Sequence, residues 1–116
     1  MSKQYRYRKI LELTKAGTGV ENIDDDPVEQ NKLLTLESIA VEDETTALDY
    51  IRIGKVSAAR FHVWEEQLTP AANELIFTND EHKISEGEHF RCKVSGGAAS
   101  DKIRVYLSGY WQYWKE

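Results

Sequence analysis

The sequence predicts an all-β fold: an antiparallel β-sandwich of about seven or eight strands, jelly-roll or immunoglobulin-like in topology. Three observations carry this. Apolar and polar residues alternate with a period of two along most of the chain, whereas helical periodicity is hard to find. Turn residues recur at the short, regular spacing of sandwiches and barrels. The 116 residues, 41% of them apolar, make a single domain over 1–116, large enough to bury roughly two thirds of its surface without metal or disulfide.

Each element follows from its own pattern. Tyr5–Leu13 reads as a basic first strand or arm (1–15), with Tyr5, Tyr7, Leu11 and Leu13 in phase. Residues 16–31 form an acidic loop that contains Pro27. Leu33–Val41 places Leu34 and Leu36 out of phase with Ile39 and Val41, and a β-bulge near Glu37-Ser38 reconciles them. Tyr50–Lys55 sets Ile51 and Ile53 on one face. Ala59–Leu68 points Phe61 and Val63 inward and Arg60, His62 and Trp64 outward. Leu75–Phe77 and His82–Ile84 are short strands, and Ser85–Glu88 is a turn. Glu88–Val94 buries Phe90, Cys92 and Val94; Asp101–Tyr110 buries Ile103, Val105 and Leu107. The Gly-rich segment Gly96–Asp101 between them reads as a hairpin tip.

Charge is unevenly placed. The net charge is -5, which argues against nucleic acid as the main partner. Residues 1–15 hold five bases and one acid, a balance of +4. Residues 21–44 hold nine acids and one base, a balance of -8. These are either solvated faces or a basic arm (Arg6, Arg8, Lys9) of one subunit docking on an acidic surface of the next. One cysteine excludes an intrachain disulfide. The amino terminus lacks the apolar stretch of a signal peptide, and no run approaches the ~20 apolar residues that cross a membrane. These features point to a protein made in a reducing cytoplasm, with no membrane partner.

No catalytic constellation emerges, and no cofactor is implied. Asp24-Asp25-Asp26 with Glu21 and Glu29 offers oxygen donors but not the alternation of a calcium loop. His62, His82 and His89 lack zinc spacing and read as surface histidines. Cys92, between Phe90 and Val94, reads as a small core residue. The aromatic tail (110–116) is the strongest candidate. Trp111 and Tyr113 continue the inward phase of Leu107, whereas Tyr110 and Trp114 point the other way, as does Trp64 on its strand. Such aromatics either seal the domain's own core or form a subunit interface, where aromatic residues are enriched. Tyr5, Trp64, Tyr110, Trp111, Tyr113 and Trp114, with Arg6, Arg8 and Lys9, are therefore the candidate interface.

Three segments carry a resemblance: Ile51-Arg-Ile-Gly54, Ile84-Ser-Glu-Gly-Glu-His-Phe90 and Asp101-Lys-Ile-Arg-Val-Tyr-Leu-Ser-Gly-Tyr110. Over roughly residues 31–110 the chain resembles small β-sandwich virion structural proteins of tailed bacteriophages. The resemblance implies a non-enzymatic capsid decoration or cement protein. It would form a homo-oligomer, such as a trimer, and bind other virion proteins such as the major capsid protein. A neck, tail or spike component is an alternative. A carbohydrate- or receptor-binding module, with Trp64, Tyr110 and Trp114 as its stacking platform, is the competing class.

Overall fold

The computed structural model describes residues 3–113, so Trp114 lies outside the described residues. Among the described residues there are nine strands: β1 (Tyr5–Thr14), β2 (Glu21–Asp24), β3 (Lys32–Asp43), β4 (Leu48–Ser57), β5 (Arg60–Leu68), β6 (Ile76–Thr78), β7 (His82–Ser85), β8 (His89–Gly96) and β9 (Lys102–Tyr113). They form two antiparallel sheets. Sheet A runs β1-β9-β3-β6, with β7 also on β3; sheet B runs β2-β8-β4-β5. β7 pairs with Leu33–Leu36 and β6 with Ile39–Val41, so the two together stand where one long edge strand would. Each sheet thus offers four strand positions, interleaved as in a jelly roll of two Greek keys. That order excludes the immunoglobulin alternative.

The core lies between the sheets. Leu36, Ile39, Val41, Ile103 and Val105 from sheet A meet Ile51, Ile53, Phe90, Cys92 and Val94 from sheet B, all essentially inaccessible. Alternation along β8 and β9 is as the sequence predicts, but their connection is not. β8 belongs to sheet B and β9 to sheet A, so Gly96–Asp101 is an arch between sheets rather than a hairpin tip. A strand pair facing across a core shows the same alternation as a hairpin. Positive φ at Gly96, Gly97 and Ser100 turns the chain through the arch.

The acidic loop is also more ordered than composition suggests. It contains β2, whose Ile23 enters the core and which pairs with β8. Beyond it, the amides of Asp25 and Val28 bond to the carbonyls of Phe90 and Glu88. Lys15, assigned to the solvated arm by charge counting, is only 2% exposed. Its ammonium bonds to the Gly19 carbonyl (2.6 Å) and pairs with Glu21 (3.0 Å), closing the turn between β1 and β2.

Bulges bend the long strands. The register shift between Leu36 and Ser38 leaves Glu37 as the extra residue, where the sequence predicts a bulge. A second extra residue, Trp64, sits in β5 between Val63, opposite Gly54, and Glu65, opposite Ile53. A third, Asp49, sits in β4 between partners Gly96 and Ser95. A glycine lies beside each one: Gly109 opposite Leu36, Gly54 opposite Val63, and Gly96 opposite Leu48. A Cβ on Gly109 would fall 2.9 Å from Leu36 Cα, one on Gly54 2.8 Å from the His62 carbonyl carbon, and one on Gly96 2.7 Å from the Asp49 nitrogen. Crowding of backbone by the extra residue explains why only glycine fits.

Candidate interaction surface

The outer face of sheet A is built in rows by strand register. Arg6 (β1), Tyr110 (β9), Thr35 (β3) and Lys83 (β7) form one row. Arg8, Ser108 and Ser38 form the next. Ile10, Tyr106, Ala40 and Phe77 follow, and then Glu12, Arg104 and Glu42. The third row is apolar where a sheet facing water should be polar. Ile10 is 63% exposed and Phe77 59%. Leu75, 42% exposed, joins Phe77, Ala40 and Tyr106 around a shallow hollow of about 240 Å³. The flanks differ in sign. Arg104 is held by Glu12 (3.1 Å) and by Glu44, and the Tyr106 hydroxyl donates to Glu42. The bond to Glu42, with burial, holds the Tyr106 phenol above its ordinary range. At the other flank, Arg6 shares a depression with Tyr110 and with Glu37 of the bulge.

Sheet B also leaves apolar residues of its edge strand β5 bare, Val63 (47% exposed) and Leu68 (60%), but its outward aromatic rings are covered. Arg52 lies 4.0 Å from the Tyr50 ring centre and pairs with Glu66; Arg91 lies 5.8 Å from the Phe61 ring centre and binds Asp24 at 2.8 and 3.0 Å. Its aromatic faces already carry cations.

The aromatic end is largely satisfied within the chain. Tyr5 stacks on Trp111 (4.3 Å, 16°), and Tyr113 meets both edge-on. Lys32 Nζ sits 4.0 Å from the Trp111 ring centre. Tyr5 and Lys32 come from the strands on either side of β9, so they occupy opposite faces of the indole. Trp111 also packs against the core, and Tyr113 remains 41% exposed. Beside it, a cleft of about 240 Å³ is lined by Tyr7, Lys9, Asp25, Lys32 and Trp111. There the Tyr7 hydroxyl and Lys9 (2.6 Å) both bond to Asp25, whose side chain is 2% exposed; Lys9 also reaches Asp26 at 3.1 Å. Burial, reinforced by Asp25, pushes the Tyr7 phenol far above its ordinary range. Lys9 therefore spends its charge on its own chain.

Other titratable groups are structural. Burial drives the Cys92 thiol well above its ordinary value, so a reactive thiolate is suppressed. Asp43 and Asp101 are buried together where the arch meets β3. Burial alone would raise the Asp101 carboxyl; the Thr45 and Thr46 hydroxyls, Asp43 and the Ala98 amide outweigh it and hold it below the ordinary range. Among the described residues no group of three or more His, Cys, Asp or Glu side chains is placed to hold a metal. His62 is exposed as expected, but His82 and His89 are half-buried, and β4 separates the strands of His62 and His89.

The structure thus redistributes the predicted interface. Arg6, Arg8 and Tyr110 lie together on the outer face of sheet A. Tyr5, Trp111 and Tyr113 form the aromatic end. Trp64 is a correction: the bulge reverses the phase of β5, so Phe61 and Val63 face outward and Trp64 turns onto the core. It stacks on His82 (4.2 Å, 5°), joining the two sheets, and does not form an exposed platform. Ile10, Phe77 and Leu75 were not anticipated. Ile10 had a signal, as the one apolar residue in the Arg6, Arg8, Glu12 phase of β1.

No family model and no curated protein sequence matches this chain. Among solved structures, it is similar to a protein of Bacillus endospore appendages, a family of disulfide-linked pili, with 12% identity and a TM-score of 0.56 over 97% of this chain and 89% of the other. A carbohydrate-binding module, CBM4, aligns at 10% identity and TM-score 0.48 over 89% and 70%. A protein of infectious bursal disease virus, Gx strain, aligns at 14% and 0.31 over 96% and 30%. The likeness to the appendage protein shows a shared β-sandwich fold.

Proposed function

We propose that this chain is a non-enzymatic structural subunit of a multi-copy particle, in its specific form a capsid decoration or cement protein of a virion. The carrying observation is the apolar row Ile10–Tyr106–Ala40–Phe77 on an otherwise polar sheet face, with Ile10 and Phe77 bare at its ends and Leu75 bare beside Phe77. Contiguous exposed apolar side chains rimmed by charge mark protein contact surfaces. Jelly rolls recur in capsid proteins, so the fold is compatible with this role. A subunit of a surface pilus, as in the similar appendage protein, is the same class of assembly role.

The test is composition. Particles banded from the producing culture by density gradient should contain the chain in fixed, high stoichiometry to the main shell protein by quantitative mass spectrometry. A chain found only in the soluble fraction, with no particle-bound copies, would refute the reading.

A further inference from the structure

We propose that the outer face of sheet A is the contact between two copies of this chain, related by a twofold axis that runs across the strands along the row Ile10–Tyr106–Ala40–Phe77. This rests on the assembly reading above and names its partner. A twofold interface brings one patch against itself, so the patch must be self-complementary. This one is. Arg8 lies two residues from Ile10 on one side and Glu12 two residues on the other. Rotation about the Ile10 row therefore sets Ile10 on Ile10 and Phe77 on Phe77, with Arg8 of each copy over Glu12 of the other. The wider charges agree. The Arg8 side holds Arg6, Arg8 and Lys83 against Glu37, and the Glu12 side holds Glu12, Glu42 and Glu44 against Arg104 and Lys102. The balances are +2 and -1. An axis parallel to the strands would instead set the Arg8 side of one copy on the Arg8 side of the other, and the Glu12 side on the Glu12 side, which like-charge repulsion disfavours.

The area suffices. β1 has ten residues, which span about 34 Å at about 3.4 Å each. Four strand positions at about 4.8 Å span about 19 Å. The face is then roughly 650 Å² per copy, or roughly 1,300 Å² in total, at the low end of stable interfaces.

Sedimentation velocity over a concentration series should show a reversible dimer. Ile10→Lys and Phe77→Lys should each weaken it at least about tenfold, with no fall in melting temperature when this is measured well below the dissociation constant, because both side chains are largely in water in the monomer. Geometry is tested by cross-linking. Cys92 is buried, so an introduced surface cysteine reacts alone. Ile10→Cys and Phe77→Cys lie on the axis and should give covalent dimers with a short bis-maleimide. Arg6→Cys should not, since its two copies stand about 27 Å apart along the strands. A monomer at millimolar concentration, a dimer indifferent to both lysine substitutions, or equal cross-linking through Arg6→Cys overturns the proposal. A strictly monomeric chain that binds purified particles, and loses that binding on Ile10→Lys, would sink the twofold contact while leaving the assembly reading standing.

Discussion

Gly109 should be the least replaceable residue of β9. Its added Cβ would press on the Thr35 carbonyl oxygen and approach Leu36 Cα to 2.9 Å. Carbon atoms rest at about 3.5–4.0 Å, so the Leu36 contact alone asks the β3 backbone to yield by roughly 0.6–1 Å, and the nearer Thr35 oxygen asks for more. Overpacking of that kind costs about 1–3 kcal/mol, and displacing β3 weakens neighbouring ladder bonds worth about 1 kcal/mol each. Gly109→Ala should therefore destabilise by about 3 kcal/mol, a sizeable part of the roughly 6–17 kcal/mol expected for a domain of this size. With an unfolding entropy near 0.24 kcal/mol/K for this length, the melting temperature should fall by about 12 °C. Gly54→Ala, against the second bulge, should behave alike. Gly17→Ala and Gly19→Ala, with nothing within 4 Å, should be neutral or gain a few tenths. Deleting Glu37 restores unbroken pairing between Leu36/Gly109 and Ser38/Ser108, and in that background Gly109→Ala should cost under about 1 kcal/mol. Calorimetry and guanidinium unfolding read both. A Gly109→Ala protein melting within a degree or two of the parent refutes the crowding argument, and an undiminished cost without Glu37 refutes the link to the bulge.

Three further outcomes follow from the geometry. Ala58 and Ala59 join β4 to β5 with φ of 52° and 63°, conformations that asparagine and glycine adopt far more easily. Ala58→Asn with Ala59→Gly should stabilise by about 1–2 kcal/mol, a rise of about 4–8 °C in melting temperature. Asp101 is held below its ordinary range when folded, so it binds a proton less readily folded than unfolded. Its stabilisation is present above the ordinary aspartate value near 4 and drains as pH falls through the folded value. Melting temperature against pH should therefore slope less steeply below about pH 4 in Asp101→Asn; an unchanged slope would remove Asp101 from the acid transition. Cys92 should resist a thiol reagent in native buffer and react fully in denaturant, and rapid native labelling would contradict its burial.

How much of this was legible depends on whether a feature leaves a trace in alternation. The Glu37 bulge does, because it breaks the phase between Leu36 and Ile39. The Trp64 bulge does not. Phe61, Val63 and Trp64 are all apolar, so either phase of β5 reads as a buried face. β2 was hidden because Ile23 is the one apolar residue of four in an acidic stretch. The Ala58-Ala59 turn carries none of the glycine or asparagine that announces its type. Hairpin and arch are indistinguishable from the residues of β8 and β9 alone, since pairing is decided by the whole sheet. Phe77 belongs to a three-residue strand, too short to display a period.

Charge shows most clearly why composition stops short of a site. The basic first strand reads as one patch, yet strand geometry divides it between two faces. Lys9 falls in phase with Tyr7 and Leu11 and is drawn to Asp25, so this base of the arm meets the acidic loop of its own chain. Arg6 and Arg8 fall in phase with Ile10 and stay outward. Salt should separate the two. Asp25 is almost wholly enclosed, and its pairing with Lys9 should persist when exposed charges are screened. The two Arg8–Glu12 contacts proposed across the dimer lie at the surface, each worth under about 1 kcal/mol. Raising salt should therefore loosen the dimer only several-fold, because the Ile10–Phe77 row carries most of its affinity. Loss of the dimer at a few hundred millimolar salt would mean that charge, and not the apolar row, holds the copies together.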